Sequence, residues 1–408
     1  MAHAGLPIDI EGEIDMSLFE NTIAVIGPLD GEAMSIARRR QDSLTKPPGS
    51  LGRLEELSVL IAGITGKSVP VIKDKVVIVM AGDHGVVAEA VSAYPQDVTM
   101  QMVANFARGG AAINVLARHV GARIVVVDMG TAGVIENNSS IVVKKVRNGT
   151  SNLAAGPAMS LDEAKRSVEA GIELAEGEIA KGADIIATGE MGIGNTTASS
   201  AVIATITGVS PRLVTGIGTG ITEEQQSHKI NVIERALTVN APSSEDPLDV
   251  LAKVGGFEIG GLAGVMLAAA ANRRPVVIDG LISGAAALIA HGLCSSVKDY
   301  MIASHLSVEV GHKVLLDWLG LKPMLDFDLR LGEGTGAALG LSILEAAVKL
   351  LNEMATFDEA GVSVAIPEGD PHACGMPFDG AQESLRTAPT PSFDQDHDRL
   401  PGGEGTRP

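Results

Sequence analysis

The chain has 408 residues, of which 45% are hydrophobic and only 2% aromatic, with 48 glycines and a formal net charge of −19. This length allows one large α/β domain with a smaller unit, or two to three domains. The negative charge repels nucleic acid and anionic lipid, and scarce aromatic residues leave few stacking platforms for single strands, so no nucleic-acid partner is expected.

Targeting and membrane signals are not evident in the sequence. Residues 1–15 lack a basic region followed by an apolar run, as a secretory signal would have. The most apolar stretches, 255–271 and 276–293, are each interrupted by an acid and several glycines, whereas a membrane-spanning helix needs about 20 apolar residues. Cys294 and Cys374 are too few for a disulfide framework. We therefore expect a cytoplasmic protein without membrane contact.

The first predicted helices flank a proline-rich motif. A helical pattern begins at Asp30 and continues to Leu44, where Thr45-Lys46-Pro47-Pro48-Gly49-Ser50-Leu51-Gly52-Arg53 follows. The two prolines end the first helix. Ser50 can cap a second helix, which carries leucines at helical spacing.

From Lys75 onwards, runs of β-branched residues alternate with helical segments. The runs do not alternate with polar residues, which is typical of strands buried on both faces. The predicted strands are 76–80, 123–127, 183–187, 275–278 and, more weakly, 324–329. Each leads into a turn that contains glycine and an acid: Gly82-Asp83-His84-Gly85, Asp128-Met129-Gly130, Gly189-Glu190, Asp279-Gly280 and Gly332-Glu333-Gly334-Thr335-Gly336. This pattern predicts a parallel sheet covered by helices, with acids converging on a crevice beyond the carboxyl ends of the strands.

The stretch Thr188-Gly189-Glu190-Met191-Gly192-Ile193-Gly194-Asn195-Thr196-Thr197 lies between a predicted strand and a predicted helix. A glycine-rich turn at the start of a helix favours anion binding. The spacing of Gly189 and Gly194 is close to that of a nucleotide-triphosphate loop. However, Asn195 replaces the lysine, and Glu190 adds a negative charge. A single phosphate beside a reacting group therefore fits better than a triphosphate.

Glu333 is the first candidate for catalysis. Glycines on both sides leave its carboxylate unshielded, and Leu329 and Leu331 can raise its pKa toward that of a general base near neutral pH. The alternative is a plain turn whose acid lies at the start of helix 337–344, where the helix dipole favours it. Glu190 is either a solvated loop acid or a second catalytic carboxylate, and its place in a phosphate loop favours the second.

Further anion-binding candidates follow in the chain. The turn Gly216-x-Gly218-Thr219-Gly220 precedes a helix that carries Lys229, which can supply positive charge. The alternative is an ordinary loop with a surface lysine. Thr196 and Thr197 most simply cap their helix, which is compatible with phosphate binding because both use the same helix terminus.

Metal binding is not expected. The dipeptide Asp83-His84 has the residue types of a metal ligand pair, but no partner at a metal-binding spacing lies nearby. The remaining histidines singled out, His228, His305 and His312, are scattered and are interpreted as ordinary polar positions.

Together these segments resemble the nicotinate-nucleotide–dimethylbenzimidazole phosphoribosyltransferase family, which acts in cobalamin nucleotide-loop assembly. Six segments carry the resemblance in the family's order, within about 21–355: Thr45-Lys46-Pro47-Pro48-Gly49-Ser50-Leu51-Gly52, Ala81-Gly82-Asp83-His84-Gly85-Val86, Tyr94-Pro95-Gln96-Asp97-Val98-Thr99, 189–197, Gly218-Thr219-Gly220 and 331–336. Any one of these motifs is weak evidence, whereas the ordered set is specific.

The resemblance implies transfer of the 5-phosphoribosyl group of nicotinate mononucleotide to 5,6-dimethylbenzimidazole, without a metal or other cofactor. It implies Glu333 as the general base and Glu190 as the second active-site carboxylate. The other implied contacts are Gly192, Gly194, Asn195 and Thr196 with the ribose phosphate, Lys229 with the phosphate, and Gln101 with the benzimidazole. A flat apolar base also suits a pocket of aliphatic side chains, for which Pro95, Met100 and Leu331 are candidates.

The predicted fold class is α/β, with a Rossmann-like parallel sheet covered by helices in residues 76–336. A smaller helical domain would be built from 21–75 and 337–355. Residues 1–20 are expected to be flexible, and the acidic tail 356–408 to be disordered. The family resemblance also suggests a homodimer. Two other functions remain open, a catalytically silent nucleotide-binding regulatory module and a degenerate P-loop-like ATPase.

Overall fold

A computed structural model describes residues 17–133, 140–218 and 220–363. Within these ranges, the chain up to Ala360 forms one compact unit. Most of the predicted flexible segment 1–20 and of the predicted tail 356–408 lies outside the described residues. The division of the remainder into two domains stays a prediction.

Helices account for more than any other element type among the described residues. The helices are α1 (Leu18–Ala24), α2 (Gly31–Ser43), α3 (Arg53–Thr65), α4 (Val98–Arg108), α5 (Ala112–His119), α6 (Leu161–Ala180), α7 (Asn195–Thr207), α8 (Pro211–Val214), α9 (Glu223–Asn240), α10 (Pro247–Val254), α11 (Phe257–Ala271), α12 (Leu281–Leu293), α13 (Val310–Leu319), α14 (Thr335–Glu353) and α15 (Phe357–Ala360). The strands are β1 (Lys75–Gly82), β2 (Ala122–Gly130), β3 (Ile141–Val143), β4 (Ile185–Met191), β5 (Val276–Ile278), β6 (Met301–Ala303), β7 (His305–Leu306) and β8 (Leu325–Asp326).

The main sheet has six parallel strands in the order β3-β2-β1-β4-β5-β6. Strand order reverses between β1 and β4, and in such sheets the ligand crevice opens at this switch point, beyond the carboxyl ends of the strands. Every residue of β1 is buried, as its uninterrupted apolar sequence predicts. The predicted α/β fold with a helix-covered parallel sheet is confirmed.

Four of the five predicted strands belong to this sheet. The fifth prediction, a strand of the main sheet at 324–329, is wrong. Only Leu325–Asp326 is extended there, and it pairs with β7 in a separate two-stranded sheet. The outer strands β3 and β6 were not predicted. Each has three residues and lies toward an edge of the sheet.

Helix starts depend on local turn geometry. The predicted start at Asp30 is confirmed, because its side chain accepts a hydrogen bond from the Ala33 N–H at 2.9 Å. The predicted cap at Ser50 is wrong. Helix α3 begins after Gly52, whose φ of +52° is accessible to glycine, so the chain enters the helix through a left-handed turn rather than through a capping hydroxyl.

The most apolar stretches of the sequence form core helices. Every residue of α11 except its last is buried, and α11 packs so closely on α6 that a Cβ on Gly171 would lie 1.9 Å from the Gly261 carbonyl oxygen. Among the described residues, one helix, α14, has the length and composition of a possible membrane span, and 56% of that window is buried inside the protein.

Candidate active site

Acidic side chains converge at the carboxyl edge of the main sheet. Five buried acids lie there. They are Asp83 after β1, Glu190 near the end of β4, Asp279 after β5, Glu258 near the start of α11 and Glu333 before α14. The structure therefore brings together the acids of four predicted turns. Glu258 joins them from an apolar stretch that gave no functional signal in the sequence.

Glu333 lies in a tight turn of three left-handed residues. Its φ is +62°, between +83° at Gly332 and +93° at Gly334. A left-handed glutamate is uncommon, and such strain persists only where neighbouring groups fix it. Asp279 supplies this support, because its Oδ2 accepts from the Gly334 N–H at 3.1 Å and its Oδ1 from the Ala337 N–H at 3.0 Å.

The environment of Glu333 suits a base. Burial raises the pKa of its carboxyl group, the Ile113 N–H lowers it in part, and the charge of Asp279 raises it further, so the net shift is upward. Its Oε2 atom is buried and has no hydrogen-bond partner among the described residues. Leu331, which was expected to lower the local polarity, is 58% exposed, so the burial of Glu333 comes from other groups.

Gly189 determines how closely the Glu333 turn approaches the sheet. It lies within β4, not in the phosphate loop where the sequence pattern placed it. A Cβ atom at Gly189 would lie 2.4 Å from the Glu333 carbonyl oxygen. This position is therefore glycine because two backbones pack directly against each other.

Glu190 is a buried strand residue rather than a solvated loop acid, with 6% of its surface exposed. Its Oε2 accepts a hydrogen bond from the Asn195 side chain, and a Cβ on Gly332 would clash with its Oε1 at 2.3 Å. Burial, followed by the charges of Asp279 and Glu258, raises the pKa of Glu190 to about 8. The free site therefore holds Glu190 largely protonated at neutral pH.

Substituting Glu190 by glutamine is expected to stabilise the protein in a pH-dependent manner. The folded-state pKa of Glu190 lies above the unfolded-state value, so its contribution to stability is complete at low pH and is lost as the pH rises to about 8. Glutamine does not ionise. Thermal melts from pH 5 to 9 should show the stability difference, variant minus wild type, increasing up to about pH 8 and then levelling off. A difference independent of pH would contradict the raised pKa.

The predicted phosphate loop ends in a helix N-terminus. Gly194, at φ +91°, precedes α7 and has no side chain to cap it, so Thr196 and Thr197 are not caps as predicted but helix residues. Gly192 packs against β1, where a Cβ would lie 2.3 Å from the Gly82 carbonyl oxygen. The start of α7 thus offers backbone N–H groups to an anion beside Glu190.

Lys229 is buried, not a surface lysine, with 1% of its area exposed. Its Nζ donates to the Thr196 hydroxyl at 2.7 Å, which joins α9 to the start of α7. Burial lowers the pKa of Lys229 to about 8, opposed by the charge of Glu309. A Cβ on Gly218 would lie 3.3 Å from the same Nζ, so the two predicted anion-binding turns meet at this lysine. Thr219 lies outside the described residues.

The residues predicted to hold the aromatic base are more exposed. Gln101 lies on the exposed face of α4, and Leu331 is also exposed. Helix α4 is fixed beside the phosphate loop, because the Thr99 hydroxyl accepts a hydrogen bond from the Ile193 N–H at 3.1 Å. The roles of Gln101 and Leu331 stay predictions.

Known proteins are similar to almost the whole described chain. A family model described as a phosphoribosyltransferase matches residues 26–362. A nicotinate-nucleotide–dimethylbenzimidazole phosphoribosyltransferase from Chloroflexus aggregans is 60% identical over 348 residues, covering 85% of this chain and 99% of that protein. One from Desulforudis audaxviator is 59% identical over 350 residues, covering 86% and 99% respectively.

The chain belongs to this phosphoribosyltransferase family. A solved structure of the enzyme of this name from Thermus thermophilus is 46% identical and superposes with a TM-score of 0.79, covering 83% of this chain and all of that one. The resemblance inferred from the sequence motifs is confirmed, and the protein is a pentosyltransferase.

In this family member, His84 pairs with Glu258 of α11 rather than with the adjacent Asp83. His84 Nε2 lies 2.6 Å from Glu258 Oε1, and both side chains are fully buried. Burial lowers the pKa of His84, but the charge and hydrogen bond of Glu258 outweigh it and raise the pKa overall. Across residues 17–133, 140–218 and 220–363, no group of histidine, cysteine and acidic residues is arranged to hold a metal ion.

The interpretation of His305 and His312 as ordinary polar positions is wrong. Both are buried, and their ring centroids lie 5.8 Å apart. Burial lowers the pKa of His312 to about 3, so that ring is neutral. His305 Nδ1 lies 3.9 Å from Asp279 Oδ1, which places it behind the Glu333 turn of this phosphoribosyltransferase.

A depression of about 540 Å³ lies beside the starts of α6 and α10, and none of the predicted site residues lines it. Four of its five charged side chains form ion pairs within the protein, with Arg147 Nε 2.8 Å from Glu163 and Lys253 Nζ 2.9 Å from Asp249. The fifth, Asp246, caps α10, so the strand tips remain the candidate active site.

Proposed function

We propose that the protein transfers the 5-phosphoribosyl group of nicotinate mononucleotide to 5,6-dimethylbenzimidazole, giving α-ribazole 5′-phosphate and nicotinate. The observation that carries this proposal is the Glu333 carboxyl group, buried with a raised pKa and held at the same sheet edge as a helix N-terminus and a buried lysine. A base and an anion site at the same strand tips match the two substrates.

The proposed step balances without an added acid. The C1′–N bond to the pyridinium breaks, its electron pair goes to the pyridine nitrogen, and nicotinate leaves with a neutral ring. A nitrogen lone pair of the benzimidazole forms the new bond to C1′ from the opposite face, so the β-linkage becomes an α-linkage. Glu333 accepts the proton from the other ring nitrogen. The leaving group needs neither a general acid nor a metal ion, because it departs without negative charge on its ring nitrogen.

Glu190 is proposed to stabilise the positive charge that develops at C1′. In the free enzyme its raised pKa keeps it largely protonated at neutral pH. A pyridinium ring bound nearby would favour the ionised form, because an opposite charge lowers the pKa of a carboxyl group. Substrate binding would therefore generate the carboxylate in the place where positive charge develops. Asn195 donates to this carboxyl group and orients it.

The phosphate is proposed to bind at the start of α7, contacted by Gly192, Gly194, Thr196 and Lys229. The helix N-terminus supplies N–H donors, and Lys229 supplies the positive charge. Gln101 and Leu331 are proposed to hold the benzimidazole. These assignments rest on the family motifs and on the location of these residues near the strand tips.

Replacing Lys229 by methionine is expected to raise the KM for nicotinate mononucleotide at least about tenfold, with a smaller change in kcat, because a charged hydrogen bond to the phosphate is lost. In wild type, the same KM should rise above about pH 8, where Lys229 loses its proton. Steady-state kinetics from pH 6.5 to 9.5 measure both effects. Lys313→Met, at an exposed position, is the control. An unchanged KM would remove Lys229 from the phosphate site.

A homodimer in the cytoplasm is proposed as the working form. Exposed apolar side chains lie on α8, α13 and the segment after β8; these are Leu213, Val310, Phe327 and Leu331. These side chains are proposed to take part in the contact between the two copies. Sedimentation equilibrium should give twice the mass of one chain, and fractionation of the host cell should place the enzyme in the cytoplasm.

The proposed activity is tested by incubating the protein with nicotinate mononucleotide and 5,6-dimethylbenzimidazole and measuring free nicotinate and α-ribazole 5′-phosphate. Stoichiometric release of both products is the expected result. A regulatory module would bind the nucleotide without releasing nicotinate. A P-loop-like ATPase would instead release phosphate from ATP. A separate incubation with ATP and without 5,6-dimethylbenzimidazole tests this alternative.

A further inference from the structure

Asp279 connects the central sheet to the turn that carries Glu333. It directly follows β5, and its backbone N–H donates to the Thr188 hydroxyl of β4 at 3.3 Å. Its two carboxylate oxygens accept from Gly334 and Ala337, on either side of the α14 start. One buried side chain therefore connects two central strands to the catalytic turn.

The capping of α14 is unusual because it is not local. The residue that precedes the helix is Gly334, which has no side chain, and the capping carboxylate comes from 55 positions earlier in the chain. Helix caps normally come from the residue next to the helix and fix only the local chain direction. A cap from a distant residue instead fixes the position of the helix start relative to the sheet, and with it the position of Glu333.

Titratable groups approach Asp279 from several neighbouring elements. Glu190 lies on β4, His305 on β7 and Glu333 on the turn itself, while Glu258 of α11 acts on Glu190 as Asp279 does. Gly336 leaves room for the histidine, because a Cβ there would lie 1.9 Å from His305 Nδ1. The charge of Asp279 raises the pKa of both Glu190 and Glu333. The hydrogen bonds of Asp279 therefore position the Glu333 turn, and its charge acts on both Glu190 and Glu333.

We propose that Asp279 is a positioning residue for the general base: its two hydrogen bonds hold the left-handed Glu333 turn over the strand tips. This proposal rests on the proposed function, because it assigns Asp279 to the base of that reaction. Asp279 itself contacts neither substrate in this assignment.

The test compares Asp279→Asn with Asp246→Asn. Asp246 also caps a helix with two hydrogen bonds, to the N–H groups of Leu248 and Asp249 at 3.1 Å each, but it is exposed and belongs to α10. Asp279→Asn is expected to lower kcat about 10- to 100-fold, because a misplaced base loses rate steeply, with less than about a threefold change in the KM for nicotinate mononucleotide. Asp246→Asn is expected to change stability only.

The pH profile separates a positioning role from loss of folded protein. Without the charge of Asp279, the pKa of Glu333 falls, so the acidic limb of the kcat profile should move to lower pH in Asp279→Asn. The pH at which kcat falls on this limb does not depend on the fraction of the protein that is folded and active. Asp279→Glu keeps the charge but displaces the carboxylate, so it should lower kcat without moving the limb.

Two results would overturn the proposal. Asp279→Asn could retain wild-type kcat and an unmoved limb, or its defect could lie in the KM alone. Inactivity of the wild-type protein with both substrates would instead refute the proposed function, so the two failures are distinguishable. A limb shift together with a lower kcat is the supporting outcome.

Discussion

Glu333→Gln should lower kcat by about 10²- to 10⁴-fold, the usual contribution of a positioned general base, with little change in the KM for nicotinate mononucleotide. Glutamine has the shape of glutamate and fills the same turn, but it cannot accept the benzimidazole proton. The wild-type rate should fall as the pH drops through the pKa of Glu333, which burial places above the ordinary range of a glutamate. That acidic limb should be absent from the residual activity of the variant.

The experiment is a pH series of initial rates for both proteins, with nicotinate release as the readout. Glu353→Gln is the matched control, because Glu353 is an exposed glutamate at the other end of α14. It should behave as wild type. Wild-type turnover in Glu333→Gln would refute the base assignment, whereas a loss confined to the KM would assign Glu333 to substrate binding.

Gly189→Ala is expected to have the second large effect, although Gly189 contacts no substrate in the proposed mechanism. The added methyl would lie 2.4 Å from the Glu333 carbonyl oxygen and 3.0 Å from the Gly334 nitrogen, both backbone atoms. The Glu333 turn must therefore move away from β4. We expect kcat to fall about 100-fold, because misplacing a catalytic group by about 1 Å typically has an effect of this size. We also expect the protein to lose about 1–3 kcal/mol of stability.

Gly177→Ala is the control for this substitution. Gly177 lies inside α6 with no atom within 4 Å of its Cβ position, so alanine should stabilise the helix by about 0.5–1 kcal/mol and leave kcat unchanged. Chemical denaturation and steady-state kinetics on both variants give the comparison. Normal kcat in a folded Gly189→Ala protein would show that the close contact between β4 and the turn does not position the base.

Sequence patterns predicted the elements whose signals are local. Largely uninterrupted apolar runs identified four strands of the main sheet, because a strand buried on both faces consists mostly of apolar residues. The turn around Glu333 was identified because glycines on both sides allow the backbone to turn sharply, and the structure shows that all three residues are left-handed. The family was identified from the order of short motifs, each of which reflects a local requirement for glycine, proline or an acid.

Other assignments failed because they depend on contacts between distant segments. Gly189 was interpreted as a phosphate-loop residue, whereas its requirement comes from Glu333, far along the chain. Lys229 gave no sign of burial, since a lone charged residue on a predicted helix is most often solvated. Glu258, within an apolar stretch, gave no sign of its place beside Glu190. Asp279 was noted as an acid in a turn, but its role as the remote cap of α14 requires the folded neighbourhood.

The sequence by itself determined the fold class, the family and the two candidate carboxylates, because periodicity, glycine turns and motif order are properties of neighbouring residues. Only the tertiary structure decided how the site is held together: which acid fixes the Glu333 turn, which amide orients Glu190, and which buried lysine meets the start of α7. These contacts join segments far apart in the chain, and burial, which sets the pKa of each group, exists only once the chain has folded.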